Sequence, residues 1–176
     1  MIPDRIFVVG FMGAGKTAVA RALAERVNRL CIDTDKLVEV GARASVQEVF
    51  DKEGESGFRQ RERRALVSAA TGPPAVVATG GGLYADRGNR KTIQLAGVAV
   101  WIDVPFDVCL ERCKEALGTR PLFRDEESLE ELYESRRAEY ANADITVEAM
   151  GRTPAIIADD VIQRLEDAIW SAEGFR

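Results

Sequence analysis

The residues with the clearest chemical potential lie in the segment from Gly10 to Thr17, GFMGAGKT. It fits the phosphate-binding pattern G-x-x-x-x-G-K-[ST], whose glycines let several backbone N–H groups point at one centre. Lys16 can reach the β- and γ-phosphates of a nucleotide, and the Thr17 hydroxyl can ligate Mg²⁺. The alternative is a glycine-rich turn with a chance Lys-Thr pair. The match at all four motif positions favours a phosphate site.

The neighbouring elements are those that such a loop requires. Residues 5–9 are short, apolar and β-branched, which predicts a buried strand. After the loop, Val19, Leu23 and Val27 recur at helical spacing and predict an amphipathic helix. The N–H groups and dipole at the start of this helix favour a phosphate. The residues expected at the nucleotide are Gly13, Ala14, Gly15, Lys16, Thr17 and Ala18.

Two carboxylates follow the apolar run at 30–32, at the end of a predicted parallel strand, where α/β sheets bind ligands. Asp33 could hold the hydration shell of Mg²⁺, and Asp35 could meet a substrate hydroxyl. The alternative is an N-cap, since an aspartate before the helical pattern that starts at Lys36 caps it well. Beside a phosphate loop, the ligand site is favoured.

Two charged residues interrupt the inward-facing stripes of predicted helices. Glu62 lies on the stripe of a helix over 55–70, and Arg59, three positions earlier, is its natural partner. Arg136 lies on the stripe of a helix over 127–140, and a buried arginine requires an anion. For Arg59 and Glu62 the alternative is a weak surface pair. Their position favours a pair that directs Arg59 towards a ligand.

Two further segments could serve a site. Three successive glycines at 80–82 follow a predicted strand at 74–78, where they allow close approach of backbone to a ligand; a flexible turn is the alternative. Residues 114–126 are polar, charged and broken by glycine and proline, which predicts a mobile lid that carries Arg120 to a phosphate. A solvated surface loop is the alternative there.

One helix start and one helix end are also predicted. Ser45 and Glu48 form the capping-box pattern S-x-x-E, which predicts a short helix. Gly54 is expected to end this helix before the next one begins at 55.

Composition limits the class of protein. The chain has 176 residues, of which 46% are hydrophobic and 30% charged, which predicts one soluble domain over 1–176. The formal net charge of −5 makes a dedicated nucleic-acid binder a poor interpretation. The chain contains no histidine, so carboxylates, lysine and arginine must carry any acid–base chemistry.

The cysteines and the absence of targeting patterns predict a cytoplasmic protein. Cys31, Cys109 and Cys113 form no C-x-x-C motif, so core-filling thiols in a reducing compartment are expected rather than a zinc site or disulfides. The chain opens on a predicted strand rather than a signal peptide. It also lacks an apolar run of about 18 residues, so no membrane span is expected.

Strand-like runs alternate with helical patterns along the whole chain. This alternation predicts an α/β domain in which helices cover both faces of a parallel sheet. The runs are at 5–9, 30–32, 74–78, 97–102 and 144–147.

In these features the sequence resembles the shikimate kinases over nearly its whole length. The matching features are the phosphate loop, Asp33-Thr34-Asp35, the run from Ser45 to Phe50, Gly54-Glu55, Phe58-Arg59 with Glu62, Gly80-Gly81-Gly82, Arg120-Pro121-Leu122, and Arg136 four residues before Tyr140. Together they are highly specific. The resemblance implies a nucleoside-monophosphate-kinase-like fold with a five-stranded parallel sheet. It also implies phosphorylation of shikimate by ATP, giving shikimate 3-phosphate and ADP, on the route to aromatic amino acids.

The resemblance further implies residue roles. Lys16 and Arg120 would meet the transferring phosphate, Arg112 with Arg152-Thr153-Pro154 would clamp the adenine, and Thr17 would hold Mg²⁺ with Asp33 acting through water. The implied catalytic residues are therefore Lys16, Asp35 and Arg120. The acceptor-binding region, about 34–62, would supply most shikimate contacts. The implied shikimate site is Asp35, Phe50, Phe58, Arg59, Glu62, Gly80, Gly81, Gly82 and Arg136.

Three positions depart from the family pattern or complicate it. Ala138 stands where the family often has proline. Arg137 adjoins Arg136, so the choice of Arg136 depends on its spacing to Tyr140 and on the helical stripe. The stretch before Arg120 varies among relatives, which affects the assignment of Arg112.

Other interpretations remain open at this stage. The fold also suits another small-molecule kinase, such as a gluconate or nucleoside monophosphate kinase, although the arginines argue against a neutral or purine acceptor. A nucleotide-binding regulatory module without turnover is the second alternative, and the presence of Lys16, Asp35 and Arg120 argues against it. A monomer is expected, because no apolar stripe is left over once each helix covers the sheet.

Overall fold

The structure is a computed structural model that describes residues 2–115 and 126–173. Its centre is a five-stranded sheet in which all strands are parallel, in the order β2-β3-β1-β4-β5. The strands are β1 (Arg5–Val9), β2 (Leu30–Asp33), β3 (Ala75–Ala78), β4 (Val98–Asp103) and β5 (Ile145–Glu148). All five predicted strands are confirmed, with bounds that differ by at most one residue.

Helices connect the strands. They are α1 (Lys16–Arg26), α2 (Thr34–Ala42), α3 (Val46–Thr71), α4 (Arg87–Ala96), α5 (Phe106–Glu115), α6 (Glu126–Tyr140) and α7 (Pro154–Glu173), with a 3₁₀ turn at Leu83–Ala85. Among the residues described, no helix has both the length and the apolar run needed to cross a membrane.

The direction of the crossovers places these helices in two layers. The connection through α1 runs one way across the sheet, and the connections through α3, α4 and α6 run the other way. Because parallel crossovers are right-handed, α1 lies on one face and α3, α4 and α6 lie on the opposite face. α7 packs along α1. The predicted three-layer α/β/α arrangement is therefore confirmed.

Burial follows position in the sheet. β1 and β3 lie inside the sheet and are almost wholly buried, whereas β2 is an edge strand. Cys109 and Cys113 fill the core as predicted, and burial raises the pKa of the Cys109 thiol to about 12. The same prediction is wrong for Cys31, which is exposed because it lies on the β2 edge.

Apolar side chains form two separate clusters. The larger one surrounds the sheet and contains most of the buried residues. The smaller one, here called the α2–α3 cluster, consists of Val38, Val49, Phe58 and Ala65, with Phe50 packed against it. The predicted acceptor-binding region thus packs on an apolar cluster of its own.

α3 contains the predicted capping box and an unexpected continuation. The N–H of Glu48 donates to the Ser45 hydroxyl, and the Glu48 carboxylate accepts from the N–H of Ser45, which confirms the box. Gly54 has φ 69° and ψ −178°, a conformation that favours glycine. The two predicted helices therefore form one element with a kink at Gly54, and the predicted helix end there is a change of direction.

Candidate active site

The phosphate loop lies between β1 and α1 and needs its glycines. Gly13 and Gly15 have φ of 77° and 85°, in the left-handed region. A Cβ on Gly13 would also lie 2.5 Å from the carbonyl oxygen of Cys109, so no side chain fits there. Lys16 begins α1, and its Nζ donates to the carbonyl of Phe11 at 2.8 Å. The loop thus presents an ammonium group and the start of a helix at one point.

Asp33 connects the phosphate loop to the next helix. The Thr17 hydroxyl donates to its Oδ2 at 2.9 Å, and its Oδ1 accepts from the N–H groups of Asp35 at 3.0 Å and Lys36 at 3.4 Å. The N-cap of α2 is therefore Asp33, and the helix starts at Thr34, earlier than predicted. The N-cap interpretation therefore holds for Asp33, Asp35 lies inside the first turn, and the metal-site interpretation of Asp33 stays a prediction.

These groups line a cavity of about 370 Å³ at the carboxyl ends of the central strands, here called the nucleotide cavity. Its oxygen-bearing side chains and its one loop lysine suit a phosphate with a hard cation. The lining residues are Gly13, Gly15, Lys16, Thr17, Ala18, Arg21, Asp33, Asp35, Thr79 and Gly81.

The predicted adenine residues lie in two separate segments of the chain. Arg112, in the last turn of α5, donates from Nη1 to the carbonyl oxygen of Gly13 at 3.1 Å. Residues 152–154 lead into α7, where Arg152 pairs with Asp160 at 2.8 Å. Arg112 is therefore in contact with the phosphate loop, and Arg152 is held by a carboxylate of α7, the helix that follows it.

A second, partly apolar pocket adjoins the nucleotide cavity and is here called the acceptor pocket. It brings together residues from the loop, from α2 and α3, and from the turn after β3. Phe50 and Phe58 form one wall, with ring centroids 4.5 Å apart, and the Arg59 guanidinium lies 5.3 Å from the Phe58 centroid. The lining residues are Met12, Asp35, Val46, Phe50, Phe58, Arg59, Glu62, Gly80, Gly81 and Gly82.

The glycines after β3 are required for space. A Cβ on Gly80 would lie 2.6 Å from Oε1 of Glu62 and 2.7 Å from Oδ1 of Asp35. A Cβ on Gly82 would lie 2.6 Å from Nη1 of Arg59. The charged side chains of the pocket therefore lie directly against this backbone, and close approach of the same backbone to a ligand stays a prediction.

Glu62 and Arg59 form the predicted pair. Glu62 is 1% exposed, and its Oε2 accepts from Nη1 of Arg59 at 2.8 Å. Burial raises the pKa of the Glu62 carboxyl, Arg59 opposes this shift, and neighbouring Asp35 adds to it. Glu62 thus holds the guanidinium at the pocket wall at the cost of a buried charge.

The two adjacent arginines of α6 have different surroundings. Arg136 lines a cavity of about 550 Å³ that continues the acceptor pocket and shares Arg59 and Glu62 with it. It is half-buried rather than buried. Arg137 instead pairs with Asp103, with 3.2 Å between Nη2 and Oδ2. The geometry therefore brings Arg136, not Arg137, to the pocket.

The residues at the site that were not assigned from the sequence include Met12, Thr34 and Tyr140. Met12 lines the acceptor pocket from within the phosphate loop. The Thr34 hydroxyl accepts from the N–H of Gly80 at 2.9 Å, and the Tyr140 hydroxyl donates to the carbonyl of Gly81. Thr34 and Tyr140 thus hold the glycine turn from two sides. Their only sequence signal was a position inside motifs that were assigned for other reasons.

One predicted site residue has no structural description. Arg120 lies outside the described residues, as does most of the predicted lid at 114–126.

The fold and the two adjoining cavities define a class. A phosphate loop after the first strand of a parallel sheet, with a nucleotide cavity and a polar acceptor pocket at the same sheet edge, is the arrangement of a P-loop kinase. Residues 12–166 match the family model described as "SKI: Shikimate kinase". The chain belongs to the shikimate kinase family.

Individual proteins agree with this assignment. The chain is 35% identical over 161 residues to a shikimate kinase of Persephonella marina, covering 91% of this chain and 98% of the relative. It superposes with a TM-score of 0.90 on shikimate kinase from Acinetobacter baumannii in complex with shikimate, at 33% identity, covering 96% and 95% of the two chains. A gluconokinase from Sinorhizobium meliloti, at 20% identity and a TM-score of 0.64 over 96% and 95%, shares the fold alone.

Proposed function

We propose that this protein transfers the γ-phosphoryl group of ATP to the 3-hydroxyl of shikimate, on the route to aromatic amino acids. The observation that carries the proposal is the position of Asp35, which lines both the nucleotide cavity and the acceptor pocket, as does Gly81. A hydroxyl held in the acceptor pocket at Asp35 is therefore next to the phosphate side. Family membership supports the same reaction.

Asp35 and Lys16 are the proposed catalytic groups among the described residues. Asp35 orients the acceptor hydroxyl and receives its proton, since no histidine is present to do so. A loose phosphoryl-transfer transition state needs little base assistance, so orientation is the larger part of this role. Lys16 follows the transferring phosphate and stabilises its charge. The proposed role of Arg120 at the same phosphate depends on the family resemblance.

The acceptor carboxylate is assigned to Arg59 and Arg136. Both guanidinium groups line the cavity that continues the acceptor pocket, and a planar fork suits a carboxylate. Phe50 and Phe58 form the apolar wall against the ring, and Glu62 positions Arg59. The glycine turn at 80–82 supplies backbone groups close to the substrate.

The donor set at the phosphate loop fits Mg²⁺. Thr17 and Asp33 present oxygen atoms that are already hydrogen-bonded to each other, and Mg²⁺ in kinase sites takes few protein ligands besides phosphate and water. We assign the ion to Thr17 and, through water, to Asp33. When bound, it neutralises charge on the nucleotide phosphates. Arg112 and residues 152–154 are assigned to the adenine.

The remaining expectations concern the whole protein. We propose a single cytoplasmic domain over 1–176 that acts as a monomer and binds no nucleic acid. Free cysteines suit a reducing compartment, and a net charge of −5 disfavours binding to nucleic acid.

A coupled assay of ADP release tests the function. ATP and Mg²⁺ are held constant, and shikimate, quinate, gluconate and nucleoside monophosphates are supplied in turn. Rapid ADP release with shikimate supports the proposal, with mass spectrometry to show shikimate 3-phosphate. Turnover with gluconate but not shikimate would replace shikimate kinase by gluconate kinase. ADP release that no acceptor accelerates would favour a nucleotide-binding module.

A further inference from the structure

The kink in α3 divides the acceptor pocket between two helical halves. The first half, 46–53, supplies Val46 and Phe50, and the second half, 55–71, supplies the remaining α3 residues of the pocket wall. Gly54 between them is left-handed, with no neighbouring atom within 4 Å of a Cβ added there. Glycine is therefore required at position 54 for its backbone conformation and not for space. The angle between the halves therefore sets how Phe50 packs against Phe58 in the pocket wall.

A two-bond ion pair spans this kink. Arg61 donates from Nε to Oε2 of Glu53 and from Nη2 to Oε1 of Glu53, both at 2.8 Å. Glu53 is the last residue before Gly54, and Arg61 lies two turns into the second half. A parallel fork of this kind restricts orientation as well as distance. It therefore joins the two halves at a defined angle.

Gly57 provides the space for this pair. A Cβ on Gly57 would lie 2.5 Å from the Cβ of Glu53 and 3.2 Å from its Oε2. The kink thus turns the Glu53 side chain across the face of the second half, where Gly57 leaves room. Gly54 thus provides the change of direction, and Gly57 leaves space for the Glu53 side chain. Arg61 is the ion-pair partner of Glu53.

Apolar contacts also connect the two halves, among them the ring contact of Phe50 with Phe58. The α2–α3 cluster is small and separate from the main core, and Val49 and Phe58 are its buried members from either side of the kink. Apolar contacts of this kind are not directional, so they tolerate a change of angle that a fork does not.

We propose that Glu53 and Arg61 are positioning residues for the acceptor: their fork holds the kink of α3 so that Phe50 stays packed against Phe58 in the apolar wall of the acceptor pocket. Neither residue lines the acceptor pocket. The identity of the acceptor as shikimate rests on the proposed function; the effect of the fork on the shape of α3 does not.

The kinetic test is a double-mutant cycle with a matched control. Arg61→Gln, Glu53→Gln and the double variant are compared with Arg64→Gln. This control removes an exposed arginine of the same helix that lowers the pKa of the Glu53 carboxyl through its charge but forms no fork with it. We expect each fork variant to raise the shikimate KM about tenfold, with kcat and the ATP KM within about twofold. The double variant should be no worse than either single one. Arg61→Lys should restore only part of the affinity, because lysine cannot form the fork.

Amide hydrogen exchange in the free protein supplies a readout that needs no substrate. The fork variants should exchange faster over 46–53, and Arg64→Gln should match the wild type. A shikimate KM and an exchange rate over 46–53 that both stay at the Arg64→Gln values in Arg61→Gln would overturn the proposal. Wild-type protein that does not phosphorylate shikimate would overturn the proposed function instead, and faster exchange in the fork variants would still support the positioning role.

Discussion

The nucleotide side and the acceptor side of this site are built differently. The phosphate loop is mainly backbone, held between β1 and α1, whose inward residues such as Val19 and Leu23 belong to the main core. The acceptor pocket depends on charged side chains, chiefly Glu62 with Arg59, carried by helices that pack in the small α2–α3 cluster.

This difference separates what is general in the site from what is specific. Backbone N–H groups at a helix start bind any phosphate, so the first side suits every P-loop kinase. Side-chain forks recognise one shape of anion, so we expect the second side to select the acceptor. Variants on the nucleotide side should therefore change turnover, and variants on the acceptor side should change acceptor KM.

The largest effect is expected for Lys16→Met. The ammonium acts on charge that develops in the transition state, so kcat should fall about 10³-fold while ATP affinity falls much less. Stopped-flow nucleotide binding and steady-state turnover measure the two quantities separately. Unchanged turnover in a folded variant would contradict the assignment of the phosphate loop.

Asp35→Asn should follow, with kcat lowered about 10²-fold and nucleotide affinity hardly changed. The N-cap of α2 is Asp33, so this variant leaves the cap intact. Asp33→Asn also keeps an acceptor at the cap, but should raise the Mg²⁺ concentration needed for half-maximal rate. A Mg²⁺ titration of both variants decides between the roles. If excess Mg²⁺ restored the activity of Asp35→Asn and not that of Asp33→Asn, Asp35 would be the residue at the metal and Asp33 the one at the acceptor hydroxyl.

Arg59→Lys and Arg136→Lys should each raise the shikimate KM about tenfold and leave the ATP KM nearly unchanged, because a point charge does not reproduce a bidentate fork. Arg137→Lys is the matched control, since Arg137 pairs with Asp103 outside the pocket, and should be nearly silent. If Arg137→Lys raised the shikimate KM as much as Arg136→Lys, the assignment of the acceptor carboxylate to Arg136 would be wrong.

Glu62→Gln should have the smallest effect of these variants. Its effect on stability shows whether the buried pair of Glu62 with Arg59 stabilises the fold or only positions Arg59. Burial raises the pKa of Glu62 above its ordinary value of 4.5, so the folded state binds a proton more readily than the unfolded state. The contribution of the Glu62 carboxyl to the free energy of unfolding is therefore present below pH 4.5 and is lost as pH rises through the raised pKa. At pH 7 the variant should have an equal or higher Tm, but a higher shikimate KM. A clear fall in Tm would show that the pair stabilises the fold.

Much of the site was predictable because its signals are local. The glycine pattern with Lys16 and Thr17 needs only neighbouring residues, and the period of the apolar stripe exposed Glu62 as out of place. The pairing of Glu62 with Arg59 followed from helical spacing alone. The five strands followed from short apolar runs, and their parallel order gave the edge at which ligands bind.

The tertiary structure decided what depends on distant segments. Whether Asp33 or Asp35 caps α2 depended on where the phosphate loop placed Thr17, and the exposure of Cys31 depended on which strand lies at the sheet edge. The different surroundings of Arg136 and Arg137, one lining the cavity and the other paired with Asp103, became visible only from the way α6 packs. The fork from Glu53 to Arg61 exists because Gly54 turns one half of α3 onto Gly57. Periodicity describes one helix at a time, whereas these contacts depend on how separate elements pack.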